Sequence, residues 1–145
     1  MTVTFCGHST LSGTAPIRKW LLETTGALIA EGADFFYLGG YGMFDALAFE
    51  VMREQKRVHP HITLALALPY LDSKLSTDGY DEIIYPPLET VPKRYAIVCR
   101  NRWMVEASDV VVAYVSHSYG GAAQTLAHAK RRNKRIFNGA EEGLQ

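Results

Sequence analysis

The run Ile62-Thr63-Leu64-Ala65-Leu66-Ala67-Leu68, ended by Pro69, is almost continuously apolar. A strand that carries apolar side chains toward both faces must be covered on both, as in a parallel sheet with helices on either side. The flanking sequence supplies the other layers. Thr2 to Cys6 alternates as a strand does and stops at Gly7-His8-Ser9. From Thr14-Ala15-Pro16 to Glu31, the residues Ile17, Trp20, Leu21 and Leu28 share one helical face, with Pro16 acceptable in a first turn. Phe35 to Leu38 reads as a second strand, and Phe44, Leu47, Ala48 and Val51 form the stripe of a helix that His59-Pro60 ends. The alternation resumes with a helix from about Lys93 to Ser108, a strand at Val110–Val115, a helix from Gly121 to about Arg132 and a last strand near Arg135–Phe137. Strands and helices in alternation predict one three-layer α/β domain over residues 1–145, doubly wound on a mainly parallel sheet. That sheet is expected to hold at least the strands at 2–6, 35–38, 62–68 and 110–115.

Residues 69–92 interrupt this rhythm with Pro69, Pro86, Pro87 and Pro92, a polar tract from Asp72 to Gly79 and a short apolar insert at Ile83-Ile84-Tyr85. A stretch of this length without regular structure is commonly a functional loop, and its aromatics argue against disorder. It is expected to fold over the sheet edge.

Two glycine pairs punctuate the alternation. Tyr37-Leu38-Gly39-Gly40-Tyr41-Gly42 and Tyr119-Gly120-Gly121-Ala122 each follow a hydrophobic run and precede a helical pattern. A βα turn of this kind brings bare backbone N–H groups and the positive end of a helix to one edge of a sheet, where an anion can bind. Charge sets the scale of that anion. Lysine and arginine number 15, as do aspartate and glutamate, so no global basic field is available for a polyanion and nucleic acid is not an expected partner. A small anionic ligand needs only a local cluster. The basic run Lys130-Arg131-Arg132 with Lys134-Arg135 falls at a helix C-terminus and reads as a solvated face.

Other chemistries find no sequence support. Cys6 and Cys99 each lie in an apolar run without paired metal spacing, which favours reduced core thiols in a cytoplasmic protein and no metal site. The first six residues are too short and polar for a signal peptide, and no apolar stretch approaches the ~18 residues of a membrane helix, so no membrane partner is expected. There is no Gly-x-x-x-x-Gly-Lys-[Ser/Thr] loop for ATP hydrolysis, and Gly39-Gly40-Tyr41-Gly42 does not form the Gly-x-Gly-x-x-Gly fingerprint of a dinucleotide site. No cofactor is implied.

A set of motifs, in order from about Thr4 to Ile136, resembles the DUF1273 branch of the SLOG superfamily. They are Phe5-Cys6-Gly7-His8, Gly39-Gly40-Tyr41-Gly42-Met43-Phe44-Asp45, Pro69-Tyr70-Leu71, Tyr80-Asp81, Arg100-Asn101-Arg102-Trp103-Met104-Val105, Ser108-Asp109 and Gly120-Gly121-Ala122 with Thr125. The resemblance implies a Rossmann-like fold and a place among phosphoribohydrolases, the DNA-processing protein DprA and nucleotide sensors. This chain departs from the branch pattern at Met43, where a further glycine is common, and at Ser9, where an arginine commonly follows Gly-His. Phosphoribohydrolases of the superfamily carry an arginine four residues before a methionine, which Arg100 and Met104 reproduce, and a glutamate three residues after the threonine of their glycine turn. His128 stands at that second place, and Gln124 stands where related deoxyribosyltransferases carry a glutamate nucleophile. A neutral amide cannot replace a carboxylate as nucleophile or charge stabiliser. Binding without hydrolysis is therefore the expectation, with an N-glycosidase acting on nucleoside monophosphates as the alternative, supplied with a carboxylate such as Asp45, Glu89 or Glu106. The resemblance also implies a homodimer paired through helices beside the cleft.

The expected cleft draws Gly7 and His8 from the first turn, Gly39, Gly40, Tyr41 and Asp45 from the second, Arg100 and Asn101 from the helix at about Lys93 to Ser108, and Gly120, Gly121, Ala122 and Thr125 from the last glycine turn. Helical spacing turns Arg100 and Arg102 apart, so only Arg100 is expected to face it. Glycine amides and Arg100 would hold phosphate, since an arginine fork matches two phosphate oxygens. Tyr41 or Tyr70 would stack on a base, with the 69–92 segment closing over the nucleoside half.

Overall fold

The computed structural model describes residues 1–144. Its strands are β1 (Thr2–Gly7), β2 (Phe35–Leu38), β3 (Thr63–Ala67), β4 (Glu82–Ile84), β5 (Val110–Tyr114) and β6 (Arg135–Asn138). Its helices are α1 (Ala15–Ala30), α2 (Gly42–Val58), α3 (Ala96–Glu106) and α4 (Gly121–Arg131). The six strands form one sheet in the order β4-β3-β2-β1-β5-β6, and every pair is parallel. The chain is a doubly wound, Rossmann-like α/β domain.

Strand alternation divides the interior into two cores. Val3, Phe5, Val110 and Val112 point toward α1 and α2, where they join Leu21, Leu28, Phe44 and Val51. Their neighbours Cys6, Val111 and Ala113 point the other way and join Val105, Leu126 and Ala129 of α3 and α4. Period-two side-chain geometry thus lets one apolar strand serve both helical layers. Leu64, Ala65, Leu66 and Ala67 of β3 are all at most 1% exposed, as the continuous apolar run requires.

One departure from the sequence expectation concerns residues 69–92. Within that segment Glu82, Ile83 and Ile84 pair with Ala65, Leu66 and Ala67, so the segment extends the sheet as its outer strand where a loop was expected. The remainder passes over the N-terminal half of α2: Tyr80 stacks on Phe49 at 4.3 Å, and Leu75 lies against Gly40.

The strand order reverses at one place. From β1 the chain works outward through β2 and β3 to β4, then returns to β5 on the other side of β1. The loops leaving the carboxyl ends of β1 and β5 therefore diverge, and the crevice between them is where doubly wound sheets bind ligands.

Candidate ligand-binding site

A cavity of about 480 Å³ opens at this crevice. One wall is the turn after β1, from Gly7 to Thr10; the facing wall is the turn after β5, from His117 to Ala122; α3 closes it with Ile97, Arg100, Asn101 and Met104. Its volume lies in the ordinary range for small-molecule sites.

The two glycine turns, alike in sequence, differ in what their amides are free to do. At the second, Gly120 adopts φ 91°, a conformation suited to glycine, and α4 begins at Gly121. The first helical bond inside α4 is donated by Gln124 to Gly120, so the amides of Gly121, Ala122 and Ala123 have no intrahelical acceptor. A Cβ placed on Gly120 or Gly121 would meet nothing within 4 Å. The turn is open to the cavity and carries the positive end of the α4 dipole.

At the first glycine turn three amides are already used. Met43 N–H donates to the Ser9 carbonyl at 2.9 Å, Phe44 N–H to the His8 carbonyl at 3.3 Å, and Tyr41 N–H to Asp45 Oδ2 at 3.0 Å. The β1 turn is thereby sewn to the start of α2, and Gly7 permits the approach: a Cβ there would lie 2.2 Å from Phe44 Cγ. Gly39 and Gly40 do not line the cavity. Gly40 faces Leu66 and Leu75 on the far side, and Gly39 lends its carbonyl to Arg100. The structure therefore does not bring these two glycines, expected as part of a phosphate cradle, to the cavity.

Arg100 is 1% exposed and serves chiefly as a clamp. Its Nη1 donates to the carbonyls of Gly39 at 2.8 Å and Ala67 at 2.7 Å, tying together the carboxyl ends of β2 and β3, while Nε donates to Asn101 Oδ1 at 2.9 Å. Among the described residues Nη2 has no hydrogen-bond partner. Arg102 is exposed, as the helical spacing predicts. Asp45 sits at the same wall; burial pushes its carboxyl up to about 6, against the Tyr41 amide and the Arg100 charge, which favour ionisation. The neighbouring Cys6 thiol is pushed up to about 12, first by burial and then by Asp45, and stays protonated and inert. Thr125 lines the cavity with its hydroxyl donated back to the Gly121 carbonyl at 3.0 Å.

Of the expected residues, Gly7, His8, Tyr41, Asp45, Arg100, Asn101, Gly120, Gly121, Ala122 and Thr125 meet at one cavity. Tyr70 touches it only through Tyr41, hydroxyl to hydroxyl at 3.2 Å. No residue of 69–92 lines the cavity, so the segment does not close over it. Glu106 lies beside Arg132 and His128 away from the cavity, and Asp45 is the carboxylate at its wall among the described residues. Sequence reasoning missed Ser9, Thr10 and, above all, Tyr119 as cavity residues; the exposed tyrosine beside a glycine pair was the available signal. His8 Nε2 accepts the Ser116 N–H at 2.8 Å, and its ring stacks on His117 at 3.8 Å, so the turns after β1 and β5 are joined across the mouth. Burial and then His117 hold the His8 imidazole below its usual pKa, consistent with a neutral ring accepting that bond.

Among the described residues no three His, Cys, Asp or Glu side chains are grouped to hold a metal, and no helix is long and apolar enough to cross a membrane. No family model matches the chain. A UPF0398 protein from Halalkalibacterium halodurans is 28% identical over 135 residues, covering 84% of this chain and 71% of the relative. DNA processing protein A from Helicobacter pylori, described for its single-stranded DNA binding, has a similar structure with TM-score 0.66 and 19% identity over 95% of this chain and 64% of its own. This chain therefore spans slightly under two thirds of that protein. A molybdenum cofactor carrier protein from Chlamydomonas reinhardtii matches with TM-score 0.63 and 18% identity, covering 97% of this chain and 81% of its own. At such identities these two likenesses speak to the fold. The sequence likeness to the UPF0398 protein extends over most of both chains, and the two structural likenesses show a shared Rossmann-like fold.

Proposed function

We propose that the cavity binds a phosphorylated small molecule of the nucleotide or nucleotide-sugar class, without cleaving it, as a sensor or carrier does. The observation that carries this reading is the unpaired N-terminal turn of α4, from Gly120 to Ala123, opening onto a cavity at the switch point of the sheet. Three free amides at a positive helix end suit a phosphate group, and they do so without any lysine at the wall. The opposite wall, with Tyr41, Asn101 and the free Nη2 of Arg100, offers polar groups for a sugar. The related folds are those of ligand-binding proteins, one for single-stranded DNA and one for a cofactor, so the expectation that nucleic acid is no partner finds no support in them. A cavity closed on three sides suits a free nucleotide better than a continuous strand.

Calorimetry against AMP, ADP-ribose and cyclic nucleotides tests the reading. Saturable binding of at least one is expected, weakened by competing inorganic phosphate. No binding at millimolar concentration to any of them overturns it.

One observation favours a second reading. Asp45 places a carboxyl in the cavity, with a pKa near 6 that leaves it mostly ionised at neutral pH. A carboxylate there suits stabilisation of positive charge on a ribose during N-glycosidic cleavage. Release of free base from AMP, CMP or GMP, lost in Asp45→Asn, would establish the hydrolase and displace the binding reading.

A further inference from the structure

Five aromatic or imidazole rings line the cavity, and four are already engaged on the faces that matter. Phe5 is 3% exposed and stacks on Phe36. Tyr41 has the Arg100 guanidinium over its ring at 5.4 Å and its hydroxyl against Tyr70, whose own ring is covered by Lys93 at 4.5 Å. The two tyrosines expected from the sequence to stack on a base are thus committed to protein contacts. His8 meets the edge of Tyr114 and the face of His117, and His117 is covered on both faces, by His8 at 3.8 Å and by Tyr119 at 3.9 Å.

The column His8–His117–Tyr119 is nearly parallel throughout, with interplanar angles of 13° and 18°. It is anchored below by Ser116 N–H on His8 Nε2 and braced by the 3.0 Å contact between His117 Nδ1 and the Tyr119 carbonyl. At its end Tyr119 is 71% exposed, with one face on His117 and, among the described residues, no ring or cation on the other. The exposed ring stands at the cavity wall, directly before the glycine that opens α4, where its outer face is accessible to a planar ligand group.

Resting on the proposed function, we infer that Tyr119 is the stacking platform for the aromatic base of the ligand, a fourth ring added to the His8–His117–Tyr119 column while the phosphate lies at the neighbouring N-terminus of α4. Stacking of this kind tolerates any base, because every base offers a π-face, and the platform therefore contributes affinity for a nucleoside half without choosing among bases.

The test is calorimetric titration of the wild type, Tyr119→Ala and Tyr119→Phe with AMP and with ribose 5-phosphate, which keeps the phosphate and sugar and lacks the base. Tyr119→Ala is expected to weaken AMP by roughly tenfold or more and leave ribose 5-phosphate unchanged, whereas Tyr119→Phe keeps wild-type affinity for both. Unchanged AMP affinity in Tyr119→Ala, or equal losses for the two ligands, overturns the platform while leaving the proposed site standing. Failure of the wild type to bind either ligand overturns both together.

Discussion

Arg100 and Asp45 both approach Gly39 without pairing: a Cβ on that glycine would lie 3.2 Å from the guanidinium and 3.1 Å from Asp45 Oδ2, yet no ion pair within 4 Å joins the two side chains among the described residues. Each is instead held by backbone, Arg100 by the Gly39 and Ala67 carbonyls and Asp45 by the Tyr41 amide. The two charged groups are fixed separately at one wall of the cavity.

The clamp gives Arg100 a stability role that precedes any binding role. Arg100→Ala leaves two buried carbonyls without donors and should cost about 2–4 kcal/mol of unfolding free energy in urea titrations. A loss below about 0.5 kcal/mol would show that the guanidinium is not the tie between β2 and β3.

Asp45 should impose a pH dependence of the opposite sign to a salt-bridged carboxylate. Its folded-state pKa, raised from 3.8 to about 6, makes the native form hold its proton more tightly than the unfolded chain. The associated stabilisation is complete below about pH 3.8 and is lost as pH rises through about 6, on the order of 3 kcal/mol across the window. His8 contributes the reverse slope nearby, since its lowered pKa stabilises the fold above 6.5 and less so as pH falls. Comparing stability between pH 4 and 7 for wild type and Asp45→Asn isolates the first effect: the variant should lose the fall toward pH 6, and identical profiles would refute it.

Glycines at the two ends of the cavity should differ sharply. Gly7→Ala drives a Cβ to 2.2 Å from the Phe44 ring and should cost about 2 kcal/mol or more, while Gly121→Ala, with open space around it, should stay within about 0.5 kcal/mol of wild type. Thermal melts of both variants check the contrast, and comparable melting temperatures would remove the steric account of the β1 turn.

Shortening residues 72–79 should lower stability, because Leu75 packs on Gly40 and Tyr80 on Phe49, and should leave the affinity for AMP within about twofold. Altered discrimination among bases would restore the lid expected from the sequence.

The fold was largely legible because both period-two and 3.6-residue patterns were strong. Leu64 to Ala67 announced a strand buried on both sides, and the stripes Phe44-Leu47-Val51 and Ile17-Leu21-Leu28 announced the helices over it. Strand β4 escaped because three half-exposed residues between prolines carry no period; only pairing with Ala65–Ala67 makes them a strand. The site was legible as a set of turns, and what each turn brings to the cavity was not. Gly39-Gly40 and Gly120-Gly121 look equivalent in sequence, and what separates them is tertiary: the Ser9 and His8 carbonyls accept from Met43 and Phe44 at the start of α2, and among the described residues no acceptor meets the first amides of α4. Arg100 likewise reads as a phosphate fork until the carbonyls of two distant strands are brought to it.

The most direct test follows backbone amides by ¹H–¹⁵N NMR while AMP is added. The largest shifts are expected at Gly121, Ala122 and Ala123, with smaller ones at Tyr119, and little change at Gly40 or across 72–79. Saturating shifts centred on residues 39–43, or none at the start of α4 at millimolar AMP, would contradict the proposed site.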